Sequence, residues 1–191
     1  MKCIPIIALA LSMLLSGCVN LKPKPDRTQL FMLASEVAVV SEVAGKPECY
    51  VGRVELPGYL EGKRIYYRSP NGELDSVAGS RWAEPLRPAL PSALAMHLQA
   101  TGRVNVRAYY PWQNTVRERA TVSVQFERFS ANANGQVEVI AQWQITLPNG
   151  NVESGRFIAP HSSWDRQNAA DYVGKFDAAL AALAETIAQK L

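Results

Sequence analysis

The chain has 191 residues, of which 48% are hydrophobic and 19% are charged, and its formal net charge is +3 at pH 7. This length and apolar content suffice for one folded domain with a sizeable core. A charge so close to neutral gives no electrostatic reason to expect a nucleic-acid partner.

The N-terminal residues have the pattern of a secretory signal peptide. Lys2 precedes a mostly apolar run over residues 3–15, which is too short to cross a bilayer. Leu15-Ser16-Gly17-Cys18 follows and resembles a bacterial lipobox. This resemblance implies that residues 1–17 are a lipoprotein signal peptide. It also implies that Cys18 carries a diacylglycerol and an acyl chain such as palmitate, which together make a stable anchor. The alternative is an unmodified cysteine in an ordinary signal peptide.

Residues 18–29 are predicted to be the lipidated N-terminus and an extended tether. They offer little for a core to bury, and they contain three basic residues: Lys22, Lys24 and Arg27. These side chains either rest on anionic headgroups or only add solubility. By the lipoprotein resemblance, Val19 rather than Asp after the cysteine implies transport to the outer membrane of a Gram-negative cell. Residues 30–191 would then form a periplasmic domain.

The first half of this domain predicts short strands. Residues 30–33 are apolar and predict the first strand, whereas the valine-rich residues 35–49 favour β structure but are interrupted by Gly45-Lys46-Pro47. Polar and apolar residues alternate over 51–56 and again over 64–68, which is typical of half-buried strands.

A leucine at every fourth position from 86 to 98 predicts a helix whose apolar stripe packs on a sheet. Ser80 is the predicted N-cap. Three prolines oppose a regular helix, since proline fits the first turn but costs about 3 kcal/mol in the interior. We therefore expect a short turn near 81–87 and a regular helix from about 89 to 100.

The second half predicts longer strands. A strand over 104–109 is followed by three alternating segments, over 120–129, 137–147 and 152–159. Asn-Gly turns separate these three segments, so they should form an antiparallel meander.

The C-terminal residues 168–191 predict an amphipathic helix. Asn168 is its predicted N-cap, and apolar residues recur every three to four positions from Tyr172 to Leu191. A helix of this kind should cover one face of the preceding sheet. The predicted fold is therefore α+β: a single domain with a mainly antiparallel sheet and two main helices packed on one face.

Candidate catalytic groups are few. His97 lies on the first helical stripe and is predicted to be a core or boundary residue. His161, with its neighbours Ser162, Ser163 and Asp165, supplies the residue types of a hydrolase triad, but adjacent residues rarely converge as a triad requires. The sequence has no nucleophile elbow, phosphate loop or Cys-x-x-Cys, so we predict no enzyme, cofactor or metal site. Cys49 has no partner once Cys18 is lipidated, so it is either buried or available for an intermolecular bond, and we expect it to be buried.

Several aromatic residues occur in predicted loops. Tyr59, Tyr110, Trp112 and Trp164 lie next to or near proline or glycine, outside the alternating strands. Aromatic side chains in loops are candidates for contacts with a partner protein. The alternative is that they cover the ends of the sheet.

Three segments resemble the ABC-type transport auxiliary lipoprotein family, which includes the paraquat-inducible PqiC lipoproteins. They are Val54-Glu55-Leu56-Pro57-Gly58-Tyr59-Leu60, Ile65-Tyr66-Tyr67-Arg68 and Arg81-Trp82-Ala83-Glu84-Pro85-Leu86. With the lipobox, the early strand and the final helix, the resemblance covers nearly the whole mature chain. Pro88 and Pro91 depart from the smoother helix expected in the family.

This resemblance implies a non-enzymatic outer-membrane lipoprotein. Its partners would be a periplasm-spanning MCE-domain protein and an inner-membrane component, and the system would move lipid between the membranes. Cys18 is the one functional position that the resemblance transfers, and a homo-oligomer is a further hypothesis. The alternatives are a structural or assembly lipoprotein of another envelope complex and, remotely, a periplasmic hydrolase that uses His161.

Overall fold

The structure is a computed structural model that describes residues 25–112, 118–166 and 168–191. The predicted signal peptide and Cys18 lie outside the described residues. Within the described ranges, the elements in chain order are β1 (Gln29–Phe31), β2 (Glu48–Glu55), a 3₁₀ turn (Gly58–Leu60), β3 (Arg64–Arg68), β4 (Leu74–Trp82), α1 (Leu86–Ala100), β5 (Asn105–Tyr109), β6 (Ala120–Ala131), β7 (Gln136–Thr146), β8 (Val152–Ile158), β9 (Ser162–Ser163) and α2 (Ala169–Ala188). None of the helices in these ranges is long and apolar enough to cross a membrane.

The described strands form one sheet that forks at β6. One edge of β6 pairs along its length with β7, and β7 pairs in turn with β8 and with the short β9. The other edge of β6 pairs with β2 over Ala120–Gln125 and with β3 at Ala131. One branch of the fork ends at β5, and the other continues through β4 to β1.

The α+β class and the two main helices are confirmed. The predicted meander of β6, β7 and β8 is antiparallel, as is the β3–β4 pair. The short β7–β9 ladder is antiparallel as well. The β1–β4, β2–β5, β2–β6 and β3–β6 ladders are parallel, so the sheet is mixed.

Both helices pack on the same face of the sheet. Alternation along β6 and β7 turns their apolar side chains toward the helices, and β6 alone contributes Val122, Val124, Phe126 and Phe129. The apolar stripe of α2 meets this layer, where Phe176 and Phe129 stack with ring centroids 4.4 Å apart. In the described ranges, the opposite face of the sheet carries no helix, and the cleft on it is lined mainly by polar residues.

The first helix begins earlier than predicted. Residues 81 and 82 belong to β4, and Ser80 is a buried strand residue rather than an N-cap. The helix starts at Leu86, after Pro85, and it continues through Pro91 to Ala100. The N-cap of α2 is confirmed, because the Asn168 side chain accepts a hydrogen bond from the Asp171 main-chain N–H at 3.1 Å.

The chain after β1 lies between the two helices. Leu33 and Ala34 are buried there, and Ala34 donates its main-chain N–H to the Asp177 carboxylate of α2 at 2.7 Å. His97 of α1 lies near the same carboxylate oxygen, with its Nε2 atom 3.6 Å from Asp177 Oδ1. The predicted core position of His97 is therefore confirmed. Residues 38–47 have no regular secondary structure apart from a turn, although their valines favour a strand.

Candidate partner-binding surface

The turn after β5 presents an exposed tryptophan. Trp112 is 72% exposed, and its carbonyl accepts a hydrogen bond from the Tyr50 hydroxyl of β2. The Tyr110 N–H donates to the Val51 carbonyl at 2.8 Å, and the Trp112 N–H donates to the Tyr109 carbonyl at 3.0 Å. These bonds fix the turn on β2, so the indole projects from a defined position.

Arg53 connects this turn with the helix-free face of the sheet. Its guanidinium carbon lies 5.6 Å from the centroid of the Tyr110 ring, which is within the range of a cation–π contact. Its Nε atom lies 3.4 Å from a carboxylate oxygen of Glu55 at the end of β2. Tyr110 is thereby half-buried, while the neighbouring Trp112 stays open.

The helix-free face contains a polar cleft of about 630 Å³. Strand alternation explains its chemistry, because the residues between the core positions of β2, β6, β7 and β8 must project to this side. The polar residues that line it are Arg53, Glu55, Ser123, Gln125, Gln142, Gln144, Ser154 and Arg156. We call these residues together with Tyr110 and Trp112 the outer-face surface.

The charges on the outer-face surface are largely paired. Glu127 accepts hydrogen bonds from Arg156 at 2.7 Å and from Gln142 at 3.0 Å. These donors, Arg156 first, lower the pKa of the Glu127 carboxyl to about 2, so it is ionised at any physiological pH. A neutral, amide-rich face of this kind suits hydrogen bonding to another protein more than it suits an apolar ligand.

The structure separates the four aromatic residues that were predicted to meet a partner. Tyr110 and Trp112 share one turn, whereas Tyr59 is 38% exposed in the 3₁₀ turn after β2. The prediction is wrong for Trp164, which is only 6% exposed and packs edge-to-face on Tyr172 with centroids 4.7 Å apart. The alternative explanation, that such residues close the end of the core, holds for Trp164.

The polar residues around His161 form contacts that hold the segment between β8 and α2 in place. His161 Nε2 lies 3.1 Å from the side-chain nitrogen of Gln136 in β7. Ser162 and Ser163 form β9 and pair with the first residues of β7, and the Asp165 N–H donates to the Asp171 carboxylate at 2.8 Å. These contacts give the residues of the hypothetical triad structural roles.

Cys49 is buried in β2, as predicted. Burial raises the pKa of its thiol to about 12, so the thiol is protonated and unreactive at neutral pH. Among the described residues, no group of three or more His, Cys, Asp or Glu side chains could hold a metal ion.

Sequence reasoning missed the glutamines of the outer-face surface. Gln125, Gln142 and Gln144 occupy polar positions of strands that were correctly recognised as alternating. The signal that would have revealed them is the pairing of these strands, since Gln125 and Gln142 are direct neighbours across the β6–β7 ladder.

The sequence of the folded domain matches a family model. Residues 31–188 match the model of the ABC-type transport auxiliary lipoprotein component. The chain belongs to this family. The match includes both helices and every described strand except the first two residues of β1.

Solved structures share the fold of this transport auxiliary lipoprotein. An uncharacterized protein aligns with a TM-score of 0.68 and 18% identity, over 85% of this chain and 97% of that chain. A Xanthomonas campestris protein of the DUF330 family model aligns with a TM-score of 0.63 and 16% identity, over 84% of this chain and 93% of that chain. At these identities the likeness shows the fold alone. The comparison with curated proteins gives no match.

Proposed function

We propose that this chain is an outer-membrane-anchored periplasmic accessory of an MCE-type system that moves lipid between the two membranes. The observation that carries the proposal is the family match over residues 31–188, which spans almost the whole folded domain. The lipobox-like residues 15–18 support a lipid anchor at Cys18. The role is docking and positioning rather than catalysis.

The arrangement of the surface suits such a role. The helices occupy one face of the sheet, which leaves the outer-face surface free for a partner. Trp112 is an exposed aromatic group on a turn whose main chain is held by hydrogen bonds, and it lies beside a hydrogen-bonding face. Tryptophan is frequent among the residues that dominate binding energy. We propose that this surface receives the periplasm-spanning MCE-domain protein, whose inner-membrane component completes the system.

Site-specific crosslinking in native membranes tests the proposal. A photoreactive amino acid replaces Trp112 in the lipidated chain, and a matched chain carries it at Lys190, which is exposed at the end of α2. After irradiation the chain is captured, crosslinked proteins are identified by mass, and co-purified lipid is extracted. An MCE-domain protein attached at position 112 and not at position 190 is the expected result.

Other outcomes of this experiment contradict the proposal in different ways. Capture of a different envelope complex at position 112 would favour the structural or assembly lipoprotein. An MCE-domain protein attached equally at both positions would support the transport role but overturn the outer-face surface as its contact. Self-association stays a prediction of its own, and mass photometry of the detergent-extracted lipoprotein measures it.

A further inference from the structure

A row of exposed residues crosses strands β1, β4 and β3, on the branch of the sheet that ends at β1. Leu30 of β1 lies directly opposite Arg81 of β4, and Arg81 lies directly opposite Arg64 of β3. Directly opposed residues of neighbouring strands project from the same face of a sheet. Because Trp82 and Ile65 are buried toward the helices, Arg81 and Arg64 project to the helix-free side. Leu30 lies at the edge of the sheet, where it also borders a groove beside Ala170 and Gly174 of α2. Leu30 is 65% exposed.

The two arginines of this row lack the ion pairs that hold most other arginines. In the residues that the structure describes, neither Arg64 nor Arg81 has a carboxylate within 4.0 Å, whereas Arg87 binds Glu55 and Glu61. Like charges placed directly opposite each other destabilise a sheet. The pair therefore contributes little to stability. Arg81 interacts electrostatically with Asp26 without forming an ion pair, and both exposed guanidinium groups can still reach an anion from outside.

The groups around the row do not neutralise its positive charge. Exposed Lys63 precedes Arg64 and donates its ammonium group to the Ala83 carbonyl at 2.8 Å. Arg27 is exposed just before β1. The acidic groups of this region are Asp26, which accepts the Thr28 N–H at 2.9 Å; Glu61, which Arg87 holds; and Glu84, which is exposed after β4. Four cations thus face two carboxylates outside ion pairs, and one of these, Asp26, already interacts electrostatically with Arg81.

The row includes the first described strand, which follows the predicted anchor closely in the sequence. Cys18 is twelve positions before Leu30. Extended chain spans at most about 3.6 Å per residue, so the anchor can lie no more than about 43 Å from Leu30. The intervening sequence adds Lys22 and Lys24 and contains no acidic residue before Asp26.

We propose that Leu30, Lys63, Arg64 and Arg81 form a docking surface for anionic phospholipid headgroups. The guanidinium groups would contact headgroup phosphates, and the Leu30 side chain would enter the interface between headgroups and acyl chains. The domain would then lie on the membrane that holds its anchor with the β1 edge inward, instead of moving freely on the tether. This inference rests on the lipid anchor of the proposed function, but not on the identity of the transport partner.

Vesicle binding of the full mature chain tests this surface. The substitution Cys18→Ser prevents acylation, so binding reports on the domain and tether alone. The variants are Arg64→Gln with Arg81→Gln, and the matched control is Lys46→Gln with Lys190→Gln, which removes two exposed cations near the opposite end of α1. Co-sedimentation is measured with phosphatidylcholine vesicles that contain or lack phosphatidylglycerol, at low and high salt.

The expected result follows from the charges removed. One basic residue near an anionic surface changes the partition coefficient about fivefold, so the arginine variant should bind phosphatidylglycerol vesicles about 10- to 25-fold more weakly. The control variant should lose much less vesicle binding, and high salt should abolish the difference in binding between the two variants. The unfolding midpoint of the arginine variant should equal or exceed that of the parent, because opposed like charges are removed.

Two results would overturn the docking surface. One is absence of binding by the parent chain to phosphatidylglycerol vesicles, and the other is equal loss in the arginine and control variants. Neither result bears on the crosslinking of an MCE-domain protein at position 112. Failure of the docking surface and failure of the proposed function are therefore distinguishable.

Discussion

Cys49 illustrates how burial sets the chemistry of a single residue. Its thiol is completely buried and has a pKa of about 12, so almost no thiolate exists at pH 8. We predict that mature chain with Cys18→Ser reacts with a thiol reagent at pH 8 only as denaturant unfolds it. The same chain with an added Lys190→Cys substitution should label one thiol at once. Rapid labelling of Cys49 in native protein would contradict the burial described here.

Two glycines should respond in opposite ways to alanine. A Cβ atom on Gly155 of β8 would lie 2.6 Å from Cζ2 of Trp143, whose ring covers this position from β7. Gly155→Ala should therefore destabilise the fold by about 1–3 kcal/mol, because the packed indole must move. Gly174 lies inside α2 with no heavy atom within 4 Å of the added Cβ. Gly174→Ala should stabilise by about 0.5–1 kcal/mol.

Urea unfolding followed by circular dichroism measures both glycine variants. The difference between their free energies of unfolding is the informative quantity, since the same methyl group is added in each case. A destabilised Gly174→Ala would mean that the added methyl group meets a neighbour across the groove that Gly174 and Leu30 line. An unchanged Gly155→Ala would mean that Trp143 moves at little cost.

The elements that sequence predicts well are those whose partners are close in the chain. The β6–β7–β8 meander and α2 are each defined by a periodicity and by turns or caps within the same segment. The parallel ladders could not be predicted in this way. Gln29 and Ser80, for example, are paired although 51 positions separate them, and no local pattern encodes that choice.

The start of α1 was mispredicted because local preferences conflict there. Ser80 is a good N-cap residue, but β1 and β3 both pair with the end of β4 and extend the strand to Trp82. Pro88 is the third residue of the helix, where no main-chain N–H partner is needed. Pro91 lies further inside and is buried, so tertiary packing offsets its local cost.

The N-cap of α2 should contribute measurably to stability at the scale of this element. Asn168 accepts the Asp171 N–H, and Asp171 places a negative charge in the first helical turn. We predict that Asn168→Ala lowers the free energy of unfolding by about 1 kcal/mol. Asn168→Asp retains a side-chain acceptor at the N-cap, so its free energy of unfolding should fall only slightly. Equal losses in the two variants would show that packing, and not the cap, fixes this end of the helix.

At the scale of the whole molecule, the two faces of the sheet have different tasks. The helix-covered face holds the apolar core, to which Trp164 contributes through Tyr172 and Phe176. The helix-free face is polar. It carries the outer-face surface on β2 and the β6–β7–β8 meander, and the row of Leu30, Arg81 and Arg64 on the branch that ends at β1. Under the two proposals, the anchor, the membrane surface and the partner would be engaged at the same time.

Alanine substitutions of Trp112 and Trp164 should have separate effects, one on partner binding and the other on stability. Trp112 is 72% exposed, so Trp112→Ala should leave the unfolding midpoint unchanged but weaken partner capture by about 2 kcal/mol or more if it is a dominant contact. Trp164 is 6% exposed, so Trp164→Ala should cost about 3–5 kcal/mol of stability. Urea unfolding and capture of the partner from solubilised membranes measure the two effects on the same preparations.

The assignment of the outer-face surface depends on the contrast between these variants. Capture by Trp164→Ala should fall only in proportion to its unfolded fraction, because its side chain meets no partner. Arg53→Ala should act in the same direction as Trp112→Ala, since Arg53 touches the Tyr110 ring and lines the cleft. Full capture by a folded Trp112→Ala chain would move the partner contact elsewhere, and exposed Tyr59 would be the next residue to test.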